Sequence, residues 1–241
     1  MKKAAVLGIA LCMMANACAQ WGKKVKGNGD MVSMERSTGD YNAVSVSGFF
    51  DVELVAGEEG EVTVEAEENL QEFIITEVKD GTLQIKTKEG VNIQPSMWKE
   101  GISITVPITD IEAVSLSGSG EVIGKTLIRT TDFSANMSGS GDIRIEVESD
   151  ELFANLSGSG DMNLKGSAGR FKVQISGSGD VKAYELEARE VDASISGSAD
   201  MELTVHEVLK ARVSGSGNIT YRGNPAKIDS KSSGSGDISK G

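Results

Sequence analysis

The 241-residue chain carries a formal net charge of −12 and is 39% hydrophobic, with aromatic residues at only 5%. That acidity argues against nucleic acid or anionic membrane surfaces as partners, and the apolar content suffices for a packed core. Both cysteines, Cys12 and Cys18, lie at the N-terminus, so the rest of the chain has no disulfide framework or thiol chemistry and depends on packing.

Met1-Lys2-Lys3, an apolar run from Ala4 to Met14 and Ala17-Cys18-Ala19 read as a secretory signal peptide over residues 1–19, too short for a spanning helix. Ala17 and Ala19 suit cleavage before Gln20. Cys18 after Ala17 suits a second route, in which Cys18 becomes the lipidated first residue, although Ala15 stands where the lipobox has leucine. Either route exports the protein to the periplasm, the outer membrane surface or the medium, with membrane contact only through the lipid. Loss of Lys2 and Lys3 takes the charge from −12 to −14.

Residues 20–40 are polar and glycine-rich without a sustained period, which predicts a flexible tether with order beginning near Tyr41. Residues 41–115 read as an irregular β region with strands over Val44 to Ser47, Val52 to Val55, Val62 to Ala66, Leu83 to Thr87 and Ile102 to Val106. Glu68 to Glu77 is the helical candidate, and Asp80-Gly81 marks a turn. Trp98, in the loop Pro95-Ser96-Met97-Trp98, is the candidate ligand contact, because an exposed loop tryptophan marks a contact surface.

Residues 116–241 repeat. SGSGE at Ser117, SGSGD at Ser138, Ser157, Ser176 and Ser233, SGSAD at Ser196 and SGSGN at Ser214 recur every 18 to 21 residues. Five residues before the turn stand Phe133, Leu152, Phe171, Val191, Leu209 and Ile228; three before it stand Val114, Ala135, Ala154, Val173, Ala193 and Ala211. Directly before it come Leu116, Met137, Leu156, Ile175, Ile195 and Val213, and the alternation resumes afterwards with Val122, Ile143, Met162, Val181, Met201 and Ile219. A period of two is strand geometry, so each repeat is strand, glycine turn, strand and variable connection.

A meander of antiparallel hairpins and a parallel superhelix both fit this unit. The superhelix explains why the turns match: each sits on the one below, about 4.8 Å away, and must share its shape. The fold expected is all-β, a two-sheet parallel β-helix with an irregular N-terminal region that starts at the degenerate turn Ser47-Gly48-Phe49-Phe50-Asp51. Ser230 and Ser232 in otherwise apolar columns make the last coil polar, and its free edge predicts a polar cap or a homo-oligomer contact.

The SGSGD repeats, Phe49-Phe50-Asp51-Val52-Glu53-Leu54 and Asp80-Gly81-Thr82-Leu83 together resemble the head GIN domain family of autotransporter-like adhesins of Bacteroidetes, over roughly Tyr41 to Asp237. The resemblance implies a parallel superhelix similar to pectin-lyase-like folds, with the glycine motifs at the tight turn, and a role in adhesion.

The acidic column Glu121, Asp142, Asp161, Asp180, Asp200 and Asp237, with Asn218, invites a calcium reading. One carboxylate per coil is too few for six to eight oxygen ligands, so the column reads as turn capping, with no metal or other cofactor. His206 lies in a repeat connection and reads as a surface or packing residue; no nucleophile, base and orienting acid form a set, so no catalytic residue is assigned. Tyr184, Tyr221 and the outward-facing Phe153 are further aromatic candidates, each weighed against packing. The expected function is an exported, non-enzymatic, adhesin-like surface for a glycan or protein ligand. The alternatives are an envelope scaffold binding a protein of the same cell and an enzyme on surface polysaccharide.

Overall fold

Alternating apolar residues put every second side chain of a strand on one face, and stacking repeats of that pattern closes a narrow interior between two such faces. The computed structural model describes residues 22–96 and 101–241. Its strands are β1 Lys23–Lys26, β2 Met31–Gly39, β3 Ala43–Gly48, β4 Asp51–Ala56, β5 Gly60–Glu67, β6 Ile74–Lys79, β7 Thr82–Thr87, β8 Val91–Gln94 and β9 Ser103–Ile108. The regular part follows with β10 Ala113–Gly118, β11 Glu121–Gly139, β12 Asp142–Gly158, β13 Asp161–Gly177, β14 Val181–Gly197, β15 Asp200–Gly215, β16 Asn218–Arg222, β17 Lys227–Gly234 and β18 Ile238–Lys240.

The strands from β10 to β15 pair in parallel with their sequence neighbours, so the solenoid holds and the meander does not. Leu116, Met137, Leu156, Ile175, Ile195 and Val213 share one column, all buried. Each long strand serves both faces. In β12, Ile143, Ile145 and Val147 are buried on one face, the chain bends through Glu148 to Glu151, and Leu152, Ala154 and Leu156 are buried on the other. That change from odd to even positions is how one strand wraps the interior.

The glycine turn is set by its neighbours as well as by its own backbone. Gly158 has φ +133°, and a Cβ there would lie 2.1 Å from the Gly139 carbonyl oxygen of the coil below. At Gly160 the same atom would lie 1.8 Å from the Gly141 oxygen. Ser159 meanwhile donates its N–H to the Gly139 carbonyl at 2.8 Å. Successive turns are therefore in backbone contact, which leaves no room for a side chain.

The superhelix does begin at the degenerate turn: Ser47, Gly48 and Asp51 lie in register with Ser117, Gly118 and Glu121. After β4 the chain leaves the stack. It returns as β7, parallel beneath β3, and as β9, parallel beneath β4, before β10 resumes on top of β3. The first coil is thus sandwiched between a later layer and the regular repeats.

Two expectations are corrected. The stretch read as a tether, 20–40, contains β1 and β2. β1 pairs in parallel with β8, and β2 runs antiparallel to β5 from Met31 opposite Glu67 to Gly39 opposite Gly60. These strands satisfy exposed backbone groups at sheet edges, a role that needs no apolar side chains and so leaves no hydrophobic period. The helical candidate is a 3-10 turn over Glu68–Phe73 followed by β6, because the β-branched run Ile74-Ile75-Thr76 pairs with β7.

At the far end β17 is exposed along its whole length, so Ile228, expected to face inward, lies open because no further coil covers it, and Ser230 and Ser232 stand opposite Ala211 and Val213. The last coil therefore meets water with serines. No helix among the described residues is long and apolar enough to cross a membrane.

Candidate ligand-binding groove

The two edges of the solenoid do different things. At the turn edge the acidic column forms a hydrogen-bonded ladder. Oδ1 of Asp142 accepts the N–H of Asp161 at 3.2 Å, Asp161 that of Asp180 at 3.1 Å, and Asp180 that of Asp200 at 2.9 Å. Asp200 and Asn218 continue it to Asn218 and Asp237, both at 3.1 Å. The amide capped belongs to the next coil, where the sequence suggests the same turn. Each carboxylate thereby spends one oxygen on structure. Beside it Arg144 pairs with Glu121 and with Asp142, and Lys182 with Asp161. Among the described residues no three histidine, cysteine or carboxylate side chains converge as a metal site.

The connection edge carries an open groove of about 940 Å³ where the regular coils begin. Along the stack its floor follows one outward column, Ala113, Ser134, Phe153 and Lys172, in register across four strands. The next column, Asp132, Glu151 and Arg170, forms one rim, and Glu112, Thr130 and Thr131 extend it. Small residues at Ala113 and Ser134 leave the half-buried Phe153 ring standing as a step in the floor. Arg170 is held between Glu151 at 2.9 Å and Glu190 at 3.5 Å, and the Lys172 ammonium lies 5.7 Å from the Phe153 ring centre.

Of the aromatic contact candidates read from the sequence, Phe153 lines this groove. Its groove partners could have been found by adding the repeat period to Phe153, which leads to Ser134 and Lys172. Glu112, Asp132, Glu151 and Arg170 gave no signal, because charge at a bend reads as solvated surface. Tyr184 is covered by the Arg222 guanidinium at 3.8 Å from its ring centre, and Tyr221 packs against the core. His206 pairs with Glu187 on an exposed face. Trp98 and Cys18 lie outside the described residues, as does the signal segment.

A third polar feature escaped the sequence. Glu67, only 2% exposed, accepts the N–H groups of Gly29 at 2.7 Å and Ser96 at 3.0 Å together with the Ser96 hydroxyl. A Cβ at Gly27 would overlap this carboxylate. Burial pushes the Glu67 carboxyl up, but the bonds from Ser96 and Gly29 and the nearby Lys26 together outweigh it and hold it below its ordinary value. Asn69 adds to the clamp, accepting from the Asn28 N–H at 3.0 Å and donating to the Lys26 carbonyl at 2.8 Å.

Fold and groove define a β-solenoid with an open concavity on its flank. The chain belongs to the family described as "Putative auto-transporter adhesin, head GIN domain", whose model matches residues 40–225. Several solved structures are similar, three of them as follows. A "putative adhesin" of Bacteroides fragilis is 23% identical with a TM-score of 0.82, covering 90% of this chain and 99% of its own. A "putative lipid binding protein" of Parabacteroides distasonis is 27% identical with a TM-score of 0.73, covering 91% and 100%. A "putative adhesin" of the same species is 26% identical with a TM-score of 0.69, again covering 91% and 100%. No curated protein matches the chain. The family and two of these three neighbours are described as putative adhesins, which supports an adhesin-like role.

Proposed function

We propose that this protein is an exported, non-enzymatic adhesin head that holds a ligand on the flank of its solenoid, at the Phe153 groove. The observation that carries the reading is the groove itself: an aromatic step on an otherwise polar face, rimmed by charged and hydroxyl side chains. Strands paired on both sides beneath it make it rigid, and a preformed surface loses little conformational entropy when it binds. Export rests on the signal segment, and a lipid on Cys18 supplies the tether that would hold the head at a membrane.

Cells that carry the full chain should attach to mucin-, matrix- or polysaccharide-coated surfaces more than cells from which it has been deleted, and protease shaving of intact cells should remove it. Equal attachment, with the chain protected from shaving, would sink this reading. A role as an envelope scaffold would then replace it.

A further inference from the structure

We infer that the groove binds a neutral, pyranose-based oligosaccharide, with one sugar face on the Phe153 ring; this rests on the adhesin reading and names the ligand class of the same site. An outward aromatic ring on a solvated sheet face leaves apolar surface in water, and a ligand that covers it must itself have an apolar face. Around the ring the groove offers polar groups of both kinds. Carboxylates of Asp132 and Glu151 accept, the Arg170 guanidinium donates, and the hydroxyls of Thr131 and Ser134 do both. An apolar patch flanked by both acceptors and donors complements a pyranose, whose axial C–H face is surrounded by hydroxyls.

Two observations exclude the nearest competitors. The backbone of β11, β12 and β13 is paired on both sides along the floor, so a peptide has no free edge to extend and would gain side-chain contacts alone. Arg170 is already neutralised by Glu151 and Glu190, so of the remaining charges lining the groove Lys172 is one cation against the two carboxylates of Glu112 and Asp132. A sulfated or uronate polymer would meet net negative charge there, whereas a neutral sugar is not repelled. The column of four residues spans roughly 14 Å at strand spacing, long enough for a short oligosaccharide lying along the stack. Lys172 is exposed and flexible, so it can swing from the ring and let the sugar in.

The test is nuclear magnetic resonance titration of the labelled mature chain with a panel of neutral gluco-, manno- and galacto-oligosaccharides at millimolar concentration, beside a sulfated and a uronate oligosaccharide. At least one neutral member should shift the resonances of Phe153, Ser134 and Thr131, while the charged ones leave them in place. Phe153→Ala should weaken binding about tenfold, and Phe153→Trp should retain it. Phe153 faces outward, so both variants should stay folded, with Phe153→Ala lowering the melting temperature by only a few degrees. No shift with any neutral sugar, equal binding by Phe153→Ala, or preference for the charged polymers would overturn the inference. If cells still attach through the chain while no sugar binds, the saccharide assignment falls and the adhesin reading stands; if neither occurs, both fall.

Discussion

Residues 113–241 and residues 22–112 build the same two faces by opposite means. In the regular coils each layer is the next stretch of chain, so one solution is written repeatedly: a glycine whose absent side chain admits the backbone below, a narrow interior and an acidic residue that caps the amide above. In the first half the layer beneath β3 and β4 is supplied by β7 and β9, later in sequence, and its edges are finished by strands that run against the stack. What repeats is held by shape. The half that does not repeat shares the apolar core but fastens its added segments with single polar side chains reaching across large separations, such as Glu67 to Gly29 and Arg36 to the Ile74 carbonyl at 2.5 Å.

That difference sets the order of expected mutational effects. Gly158→Val should be the most damaging, losing more than about 4 kcal/mol or failing to fold, since strain in φ and overlap with the Gly139 oxygen coincide. Denaturant unfolding measures it. Glu67→Ala comes next at about 3 kcal/mol, because it orphans donors from two segments. Its signature is local: amide exchange should rise over residues 23–30 while the coils keep their protection. Gly39→Ala, where φ is +86° but no atom lies within 4 Å of the new Cβ, should lose only about 1–2 kcal/mol.

Acidification should reproduce the Glu67 effect reversibly. The folded carboxyl lies below its ordinary 4.5, so its contribution is complete above that value and is lost as pH falls through the lower folded one. Amide exchange of residues 23–30 against pH should follow that course; a loss centred near neutrality would contradict it. At the small end, Asp180→Ala should lose about 1 kcal/mol by freeing the exposed Asp200 amide, and Asp180→Asn should stay within about 0.5 kcal/mol. Asn218 already does this work in the same column, capping Asp237. A large loss in Asp180→Asn would mean the charge itself is needed.

The repeat half was legible because its constraint is local and periodic: a residue that must be small or apolar in one coil must be so in all, and Leu116 to Val213 record it. β1, β2 and the Glu67 clamp were illegible for the complementary reason. Backbone pairing at an edge accepts any side chain that is not proline, so Lys23-Lys24-Val25-Lys26 resembles a linker, and nothing near Glu67 in sequence announces donors twenty-nine and thirty-eight residues away. The groove stood between these cases. Phe153 broke the polar outward column visibly, but its rim is assembled from bends whose charges look like ordinary surface.

The carboxylate ladder points one way. Every rung offers an oxygen from an earlier coil to the amide of a later one, so a nascent chain emerging N-terminus first always finds its acceptor already seated. The regular half is in that respect a vectorial template, suited to being wound up layer by layer as the chain is delivered from its N-terminus.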